Sequence, residues 1–348
     1  MGLPAIKLEA KQKSSIFIQE KPLRILFIDQ AIGGVQQHLV TLARNLNRQN
    51  FRIDLICSPD GTLAKEFRDL SLNVNVIPMH RNIDLRDIRT FIDIFRIIKK
   101  EKYDIVHTHS SKAGFLGRLC ARLRGVPVII HTPHAFHFAG QENYFKRTFY
   151  RFLEKTASRW CDTIIAVSDS ERIFGIQNKI TSETKIISIP NAIKFEKFNQ
   201  KIDIIKKRTE LNIKPGSPLI TMVARLCPQK DPVTFVKMAK KILEQHPDAD
   251  FLLVGGAPLK EYSLEKQIIE MINQNKLGDK IHILGWRDDV AEILSASDIS
   301  VLTSLYEGGP YTLLESMAAG LPVVATDSTG THDVVIHGKT GFLAPKKD

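Results

Sequence analysis

The sequence predicts two doubly wound α/β domains, each a parallel sheet covered by helices on both faces. Three observations predict it. The chain has 348 residues, about twice what a single hydrophobic core comfortably organises. Short β-rich runs alternate with amphipathic helical stretches along nearly the whole length, which is the pattern of βαβ units. The glycine-rich and charged motifs follow the β-rich runs directly, and parallel sheets bind ligands beyond the carboxyl ends of their strands.

In the first domain, expected over 23–190, strands are predicted at 23–28, 52–56, 74–77, 104–108, 126–131 and 163–167. Helical stretches at 35–48, 85–100 and 143–158 lie between them. Ile189-Pro190-Asn191-Ala192 reads as a turn in a short linker. The second domain, expected over 191–348, has strands at 219–223, 251–254, 280–284, 299–303 and 323–326. A helix is predicted from Tyr311 to just before Gly320, with Pro310 at its start and Pro322 beyond its end. Residues 1–22 read as a poorly ordered extension.

Composition sets the outer bounds. Hydrophobic residues make up 43% and charged residues 25%, which excludes collagen-like, coiled-coil and wholly disordered chains. Apolar runs such as 126–130 and 251–254 are far shorter than the roughly 20 residues of a membrane-spanning helix. Residues 1–22 lack the apolar core of a secretory signal. Cys57, Cys120, Cys161 and Cys227 show no CxxC spacing, so a reducing cytosol is expected.

The formal net charge is +11. Residues 1–190 carry 29 basic and 18 acidic side chains, whereas 191–348 carry 20 of each. A one-sided positive field points to an anionic partner for the first domain, a membrane surface above all. Nucleic acid is not expected, because no RNA- or DNA-binding module is present and aromatic and basic residues interleave in only one helix. That helix runs from Phe145 through Lys146, Arg147, Phe149, Arg151, Phe152 and Leu153 to Trp160. The favoured reading packs its aromatics on the domain's own sheet. The alternative lays it in a membrane interface.

The first strand is followed by Gly33-Gly34-Val35-Gln36-Gln37-His38. The two glycines allow close approach of a ligand to the backbone, and the helix amides beyond them suit phosphate oxygens. The pattern is not GxGxxG, so no nicotinamide dinucleotide fingerprint is present. His107, His109, His131, His134 and His137 crowd one region. His134 falls on a loop over the strand ends, where an imidazole suits a sugar hydroxyl or the reacting groups. A zinc cluster of HxxHxxH type is disfavoured, because that spacing on a loop lacks the helical geometry of a zinc motif.

In the second domain Arg225 and Lys230 share one strand-to-helix connection and suit a diphosphate clamp. Glu307-Gly308-Gly309-Pro310-Tyr311 leads into the predicted helix that carries Glu315. Gly308 and Gly309 open space, the helix amides favour a leaving phosphate, and the two carboxylates suit different hydroxyls of one ligand. Asp248-Ala249-Asp250 spells a DxD, a metal–nucleotide motif in other proteins, but it precedes a strand and so lies at the wrong end for the site.

Together these residues resemble the retaining nucleotide-sugar glycosyltransferases of family 4, which have the GT-B fold. Glu307 and Glu315 are similar to that family's E-x7-E motif, and Arg225 and Lys230 to its R-x4-K pair. Gly33-Gly34 is similar to its donor-phosphate loop, and Ile189-Pro190-Asn191 to its interdomain linker, with Ala192 standing where the family has glycine. The stretch from Lys112 to Pro127 and the His131–His134 segment resemble the branch that builds bacterial capsule, exopolysaccharide and lipopolysaccharide. The resemblance implies Arg225 and Lys230 on the donor diphosphate, Glu307 on the donor sugar, and Glu315 on the ribose. It further implies His134 near the reacting centre, Gly33 and Gly34 against the phosphates, and Gly255, Gly256, Trp286 and Arg287 near the nucleotide, with no metal and no other cofactor. Family members continue with helices that finish the second domain, and the resemblance implies that these are missing after Asp348, leaving apolar surface uncovered.

The function so implied is transfer of a hexose or N-acetylhexosamine from a nucleotide diphosphate sugar, UDP-linked by expectation, to a lipid-linked saccharide at the inner membrane face. Two alternatives stand beside it. One is a transferase with a soluble sugar-phosphate acceptor. The other is a catalytically silent nucleotide-sugar-binding partner.

Overall fold

The computed structural model describes residues 21–30, 33–80, 83–198, 200–257 and 262–346. All but the last two residues of the expected N-terminal extension lie outside them. The first half contains β1 (Leu23–Asp29), α1 (Gly34–Asn45), β2 (Phe51–Cys57), α2 (Leu63–Asp69), β3 (Asn73–Val76), α3 (Arg86–Glu101), β4 (Ile105–His109) and α4 (Ser111–Leu123). It continues with β5 (Val128–Thr132), α5 (Tyr144–Ala157), β6 (Thr163–Ala166), α6 (Asp169–Gln177) and β7 (Ile186–Ser188). After the short α7 (Phe195–Phe198) come α8 (Ile204–Glu210), β8 (Leu219–Val223), α9 (Pro232–Leu243), β9 (Asp250–Val254), α10 (Tyr262–Gln274) and β10 (Ile281–Gly285). The chain ends with α11 (Val290–Ala296), β11 (Ile299–Leu302), α12 (Tyr311–Ala318), β12 (Val323–Thr326) and β13 (Gly341–Ala344).

These strands form two sheets. The first runs β3-β2-β1-β4-β5-β6-β7 and the second β10-β9-β8-β11-β12-β13. Neighbours within each sheet pair in parallel. Each order reverses once, between β1 and β4 and between β8 and β11, and at such a switch point the connections leave to opposite faces and open a crevice. The fold therefore sets two crevices, lined by the loops after β1 and β4 in one sheet and after β8 and β11 in the other.

Burial on both faces explains the strand sequences. In β1, five consecutive residues from Leu23-Arg24-Ile25-Leu26-Phe27-Ile28-Asp29 are buried, with no polar alternation, as a sheet covered twice requires. Ile25, Phe27 and Leu55 pack with Leu39 and Phe67 under α1 and α2. Leu26 and Ile28 pack on the other face with Ile94, Ile98 and Cys120. Thr90, Ile94 and Ile98 of α3 are buried at helical spacing.

Two short edge strands were not predicted. β7 is three residues long and β13 four. Residues 186–188, just before the linker turn at Ile189, carry no predicted strand, but β7 pairs with β6 through Ile164↔Ile186 and closes the first sheet's edge. The DxD segment lies where the sequence puts it, with Asp250 opening β9 at the strand's amino end.

The favoured reading of α5 is overturned. Tyr144, Phe145, Phe149 and Phe152 are 74, 81, 51 and 63% exposed. Lys146, Arg147, Arg151 and Lys155 are exposed among them. Of the predicted aromatic face, only Trp160, just beyond the helix, packs inward, edge-on to Phe115 at 5.1 Å. The reason is polar: Glu154 turns in toward Arg118, whose side chain is fully buried, with Nη2 donating to Oε1 at 2.8 Å. An ion pair holds α5 to α4, and of the helix's aromatics Tyr150 packs on the core while Tyr144 and the three phenylalanines are left outside. Among the described residues, no helix is long and apolar enough to cross a membrane.

Candidate active site

The carboxyl ends of β8 and β11 build a connected polar cluster. Arg225 follows β8, and a turn of 3₁₀ helix at Pro228–Lys230 delivers Lys230 before α9 begins. Asp231 takes a left-handed conformation (φ 46°) and caps α9, its side chain accepting from the Thr234 amide. Thr303 Oγ, just after β11, donates to the carbonyls of Lys230 and Asp231 at 2.9 and 2.8 Å. Gln229 Nε2 donates to the Tyr306 carbonyl at 3.0 Å, and the Leu305 amide donates to the Gln229 carbonyl at 2.8 Å. These bonds lock the two loops into one platform, on which Lys230 Nζ donates to Glu307 Oε1. Glu307 is only 7% exposed, so Lys230 is its buried ion-pair partner.

The first domain meets this platform through glycines. Gly33 has φ 83°, and a Cβ there would lie 3.5 Å from Arg225 Cδ. Gly34 faces the Tyr311 ring, where a Cβ would lie 3.2 Å from Cδ2. A Cβ on Gly308 would come within 2.6 Å of the Ala135 amide nitrogen, and one on Gly309 within 2.8 Å of the Val167 carbonyl. Real Cβ atoms do not approach a rigid backbone so closely, so Gly308 lets the loop after β11 close onto the loop after β5. Asn191 in the linker ties both sides, with Nδ2 donating to the Gly309 carbonyl at 2.7 Å and Oδ1 lying 3.1 Å from His38 Nδ1. At the rim, the Ser170 amide donates to Asp333 at 3.2 Å. The structure is thus a closed arrangement.

His134 sits at this junction. It has φ 54° and Ala135 φ 82°, conformations that cost a non-glycine residue free energy and need external support. Glu171 supplies it: Oε1 accepts from the Ala135 amide at 2.5 Å and Oε2 from the Val167 amide at 2.8 Å. Burial pushes the Glu171 carboxyl up to about 7 against these two hydrogen bonds. His134 Nε2 lies 3.1 Å from His109 Nδ1. Burial and neighbouring histidines hold both imidazoles well below their ordinary pKa, so both are neutral at pH 7.

Glu315, eight positions after Glu307, lies in α12, and burial raises its pKa while Lys197 opposes the rise. The Tyr311 hydroxyl is buried and has no hydrogen-bond partner among the described residues. Gly255 bridges to Gly285, and Gly256 abuts the Trp286 indole. Trp286, 57% exposed, and Arg287 lie after β10, two strands from β8. Arg287 forks onto Asp289 at 2.8 and 2.7 Å.

The structure therefore gathers Gly33, Gly34, His134, Arg225, Lys230, Glu307, Gly308, Gly309 and Tyr311 around one cleft, with Glu315 a turn further along α12. Gly255, Trp286 and Arg287 form a separate wall at the β9–β10 ends. Sequence reasoning assigned Glu171 and Tyr306 no role, Asn191 only a place in the linker, and His38 and His109 none singly. The signals for these two histidines were the position of His38 after Gly33-Gly34 and of His109 in the histidine-rich region. The HxxHxxH grouping does not converge. His131 is buried against Thr108, and His137 bonds Gln141 at 3.0 Å.

A family model described as "Glycosyltransferase Family 4" matches residues 32–197, and one described as "Glycosyl transferases group 1" matches residues 203–348. The chain is 37% identical over 323 residues to the UDP-Gal:alpha-D-GlcNAc-diphosphoundecaprenol alpha-1,3-galactosyltransferase of Escherichia coli, covering 91% of this chain and 82% of that one. It is 25% identical to the N,N'-diacetylbacillosaminyl-diphospho-undecaprenol alpha-1,3-N-acetylgalactosaminyltransferase of Campylobacter jejuni, over 94% of this chain and 86% of the relative. Among solved structures, Anabaena Alr3699/HepE in complex with UDP and glucose superposes with a TM-score of 0.80 at 21% identity, covering 93% of this chain and 86% of that chain. With the two sheets, the cleft and these matches in hand, the chain belongs to the family 4 glycosyltransferases and has the GT-B fold.

Proposed function

We propose that this protein transfers a hexose, galactose first among candidates, from a UDP-sugar to a saccharide carried on a polyprenyl diphosphate, with retention at the anomeric carbon. The observation that carries the reading is the 37% identity, over 91% of this chain, to the Escherichia coli relative, whose name gives both UDP-Gal and a diphosphoundecaprenol-linked GlcNAc.

In this reading, Arg225 and Lys230 hold the donor diphosphate and stabilise the charge that develops on it as the sugar leaves. The amides after Gly33-Gly34 and at the start of α12 add to that field. These groups meet the charge of the leaving group, and no resident metal or other cofactor is needed. Glu307 binds donor sugar hydroxyls, Glu315 the ribose, and Trp286 and Arg287 the base, against Gly255. Gly308, Gly309 and Tyr311 shape the pocket, and His134 faces the reacting carbon. Closure excludes water, which would otherwise hydrolyse the donor.

The finer part of the reading concerns the membrane. The acceptor's lipid keeps it in a bilayer, and the first domain is basic. The exposed aromatics of α5, interleaved with Lys146, Arg147, Arg151 and Lys155, suit the headgroup region of an anionic inner leaflet. The lipid-linked acceptor is then reached from the cytoplasmic side.

The test is transfer from a panel of UDP-sugars to a synthetic GlcNAc-diphosphate-lipid, followed by determination of the anomeric configuration. The expected result is an α-linked disaccharide with equimolar UDP release. Transfer to a soluble sugar phosphate at an equal rate would move the assignment to the soluble-acceptor alternative. UDP-sugar binding without transfer to any acceptor would make the protein a silent binder.

A further inference from the structure

Three histidines from three separate elements converge beneath the cleft. His38 comes from α1, His109 from the end of β4 and His134 from the loop after β5. One ring nitrogen from each lies within 4.8 Å of the others. The ring centroids form a triangle with sides of 5.7, 4.7 and 5.4 Å. In a tetrahedral zinc site with Zn–N bonds of about 2.0–2.1 Å, ligand nitrogens lie about 3.3 Å apart and imidazole centroids about 5.3 Å apart. The three centroid distances lie within about 0.6 Å of that spacing, and the His109–His134 nitrogen pair is 3.1 Å apart.

The chemistry of the set agrees with the geometry. A cation binds neutral imidazole, and burial keeps all three neutral at pH 7, with His38 held down to about 4. His38 is oriented from outside, Nδ1 meeting Asn191 Oδ1 at 3.1 Å, which leaves Nε2 to face inward; such support fixes the tautomer of a metal ligand. His109 is fully buried, and Nδ1 is the nitrogen it turns toward His134 Nε2. His107 is committed elsewhere, with Nε2 2.8 Å from Thr132 Oγ1, so the set stays at three. Three imidazoles leave a fourth tetrahedral position open for water or another small ligand.

We propose that His38, His109 and His134 form a binding site for one divalent transition cation of the Zn²⁺ class, and that its occupancy inhibits glycosyl transfer by withdrawing His134 from the reacting centre. The site itself stands on the imidazole geometry. Its inhibitory consequence rests on the role proposed above for His134.

The experiment uses the full chain, stripped of metal, with Zn²⁺ titrated by calorimetry and Co²⁺ followed by its visible absorption. One equivalent of Zn²⁺ should bind, and Co²⁺ should give the intense visible bands of a four-coordinate centre. His38→Ala and His134→Ala should each weaken binding by at least about tenfold, the scale on which even outer-shell changes act. His38 is half-buried, so His38→Ala should fold, which circular dichroism checks. No saturable binding, or equal binding in both variants, would overturn the site. In the transfer assay, Zn²⁺ should inhibit wild type more strongly than His38→Ala. Stoichiometric binding without inhibition would overturn the inhibitory consequence and leave the site and the transferase assignment standing.

Discussion

Lys230 Nζ donates to Glu307 Oε1 across two loops that leave neighbouring strands of the second sheet, and both side chains are largely buried, at 13 and 7% exposure. The pair joins a cation suited to a diphosphate with a carboxylate suited to sugar hydroxyls. Removing either partner has different consequences. Glu307→Gln keeps the shape and a hydrogen-bond acceptor but leaves the Lys230 ammonium without a counter-charge, so kcat should fall about 10²–10³-fold with a smaller loss of stability than truncation of Lys230 causes. Lys230→Ala leaves a buried carboxylate unpaired and should also cost about 3–5 kcal/mol of stability. Steady-state kinetics and urea unfolding of both variants would check this.

Gly308 marks a close backbone approach between the two domains' loops. A methyl group there would meet the Ala135 nitrogen at 2.6 Å, and neither backbone can yield, because Glu171 holds Ala135. Gly308→Ala should prevent full closure and lower kcat/KM by about 10²-fold, the cost of a misplacement near 1 Å. Small-angle scattering with UDP should show a larger radius of gyration than for wild type. Unaltered compactness and kinetics would refute the role given to this glycine.

The exposed face of α5 predicts a separable membrane defect. Phe145→Ser, Phe149→Ser and Phe152→Ser combined should lower binding to anionic vesicles by at least about 100-fold, since each buried aromatic contributes roughly 1.5–3 kcal/mol. Tm should stay unchanged, because these side chains support no described core. Flotation on neutral and anionic vesicles separates the aromatic from the electrostatic part. Equal binding of wild type to both would remove the electrostatic claim.

Glu154 anchors that helix. Glu154→Ala leaves the fully buried Arg118 guanidinium without its carboxylate partner, and the variant should lose about 3–5 kcal/mol. Joint replacement, Arg118→Met with Glu154→Leu, should recover most of the loss. Denaturant midpoints of the single and double variants measure it, and an additive double variant would show that the pair does not couple.

The histidines predict acid sensitivity. Burial holds His38 and His131 down to about 4, and His107, His109 and His134 also lie well below their ordinary value. A lowered base pKa favours the neutral native form. Its contribution is whole above the unfolded value near 6.5 and is lost as pH falls toward about 4. Glu171 has the opposite sign, because its raised pKa contributes stability that is full below about 4.5 and lost as pH rises through 7. Five imidazoles outweigh the raised carboxyls of Glu171 and Glu315, so the unfolding free energy should fall as pH drops from about 6.5 to about 4.5. His38→Asn should flatten that slope. A stability that is level or rising toward pH 4.5 would contradict the burial of neutral histidines.

Much of this protein was legible in its sequence, because the features concerned are local. Apolar runs such as 23–28 and 219–223 must be strands covered on both faces, and glycines and charges after them must sit at the carboxyl ends of a parallel sheet. Hence Arg225, Lys230, Glu307 and Gly308 could be named as candidate site residues before any contact was known. What the chain could not reveal locally depends on distant pairings. Whether α5 buries its aromatics depends on Arg118, 36 positions before Glu154, claiming the inward side of the helix. Whether the histidines form a cluster depends on β1 and β4 being neighbours, which brings His38 beside His109 and His134 while the sequential HxxHxxH set disperses. Glu171 and Asn191 matter only because the fold sets them against the strained loop at Ala135 and against Gly309. Periodicity records which way a side chain faces within its own element, and only tertiary packing decides what it meets there.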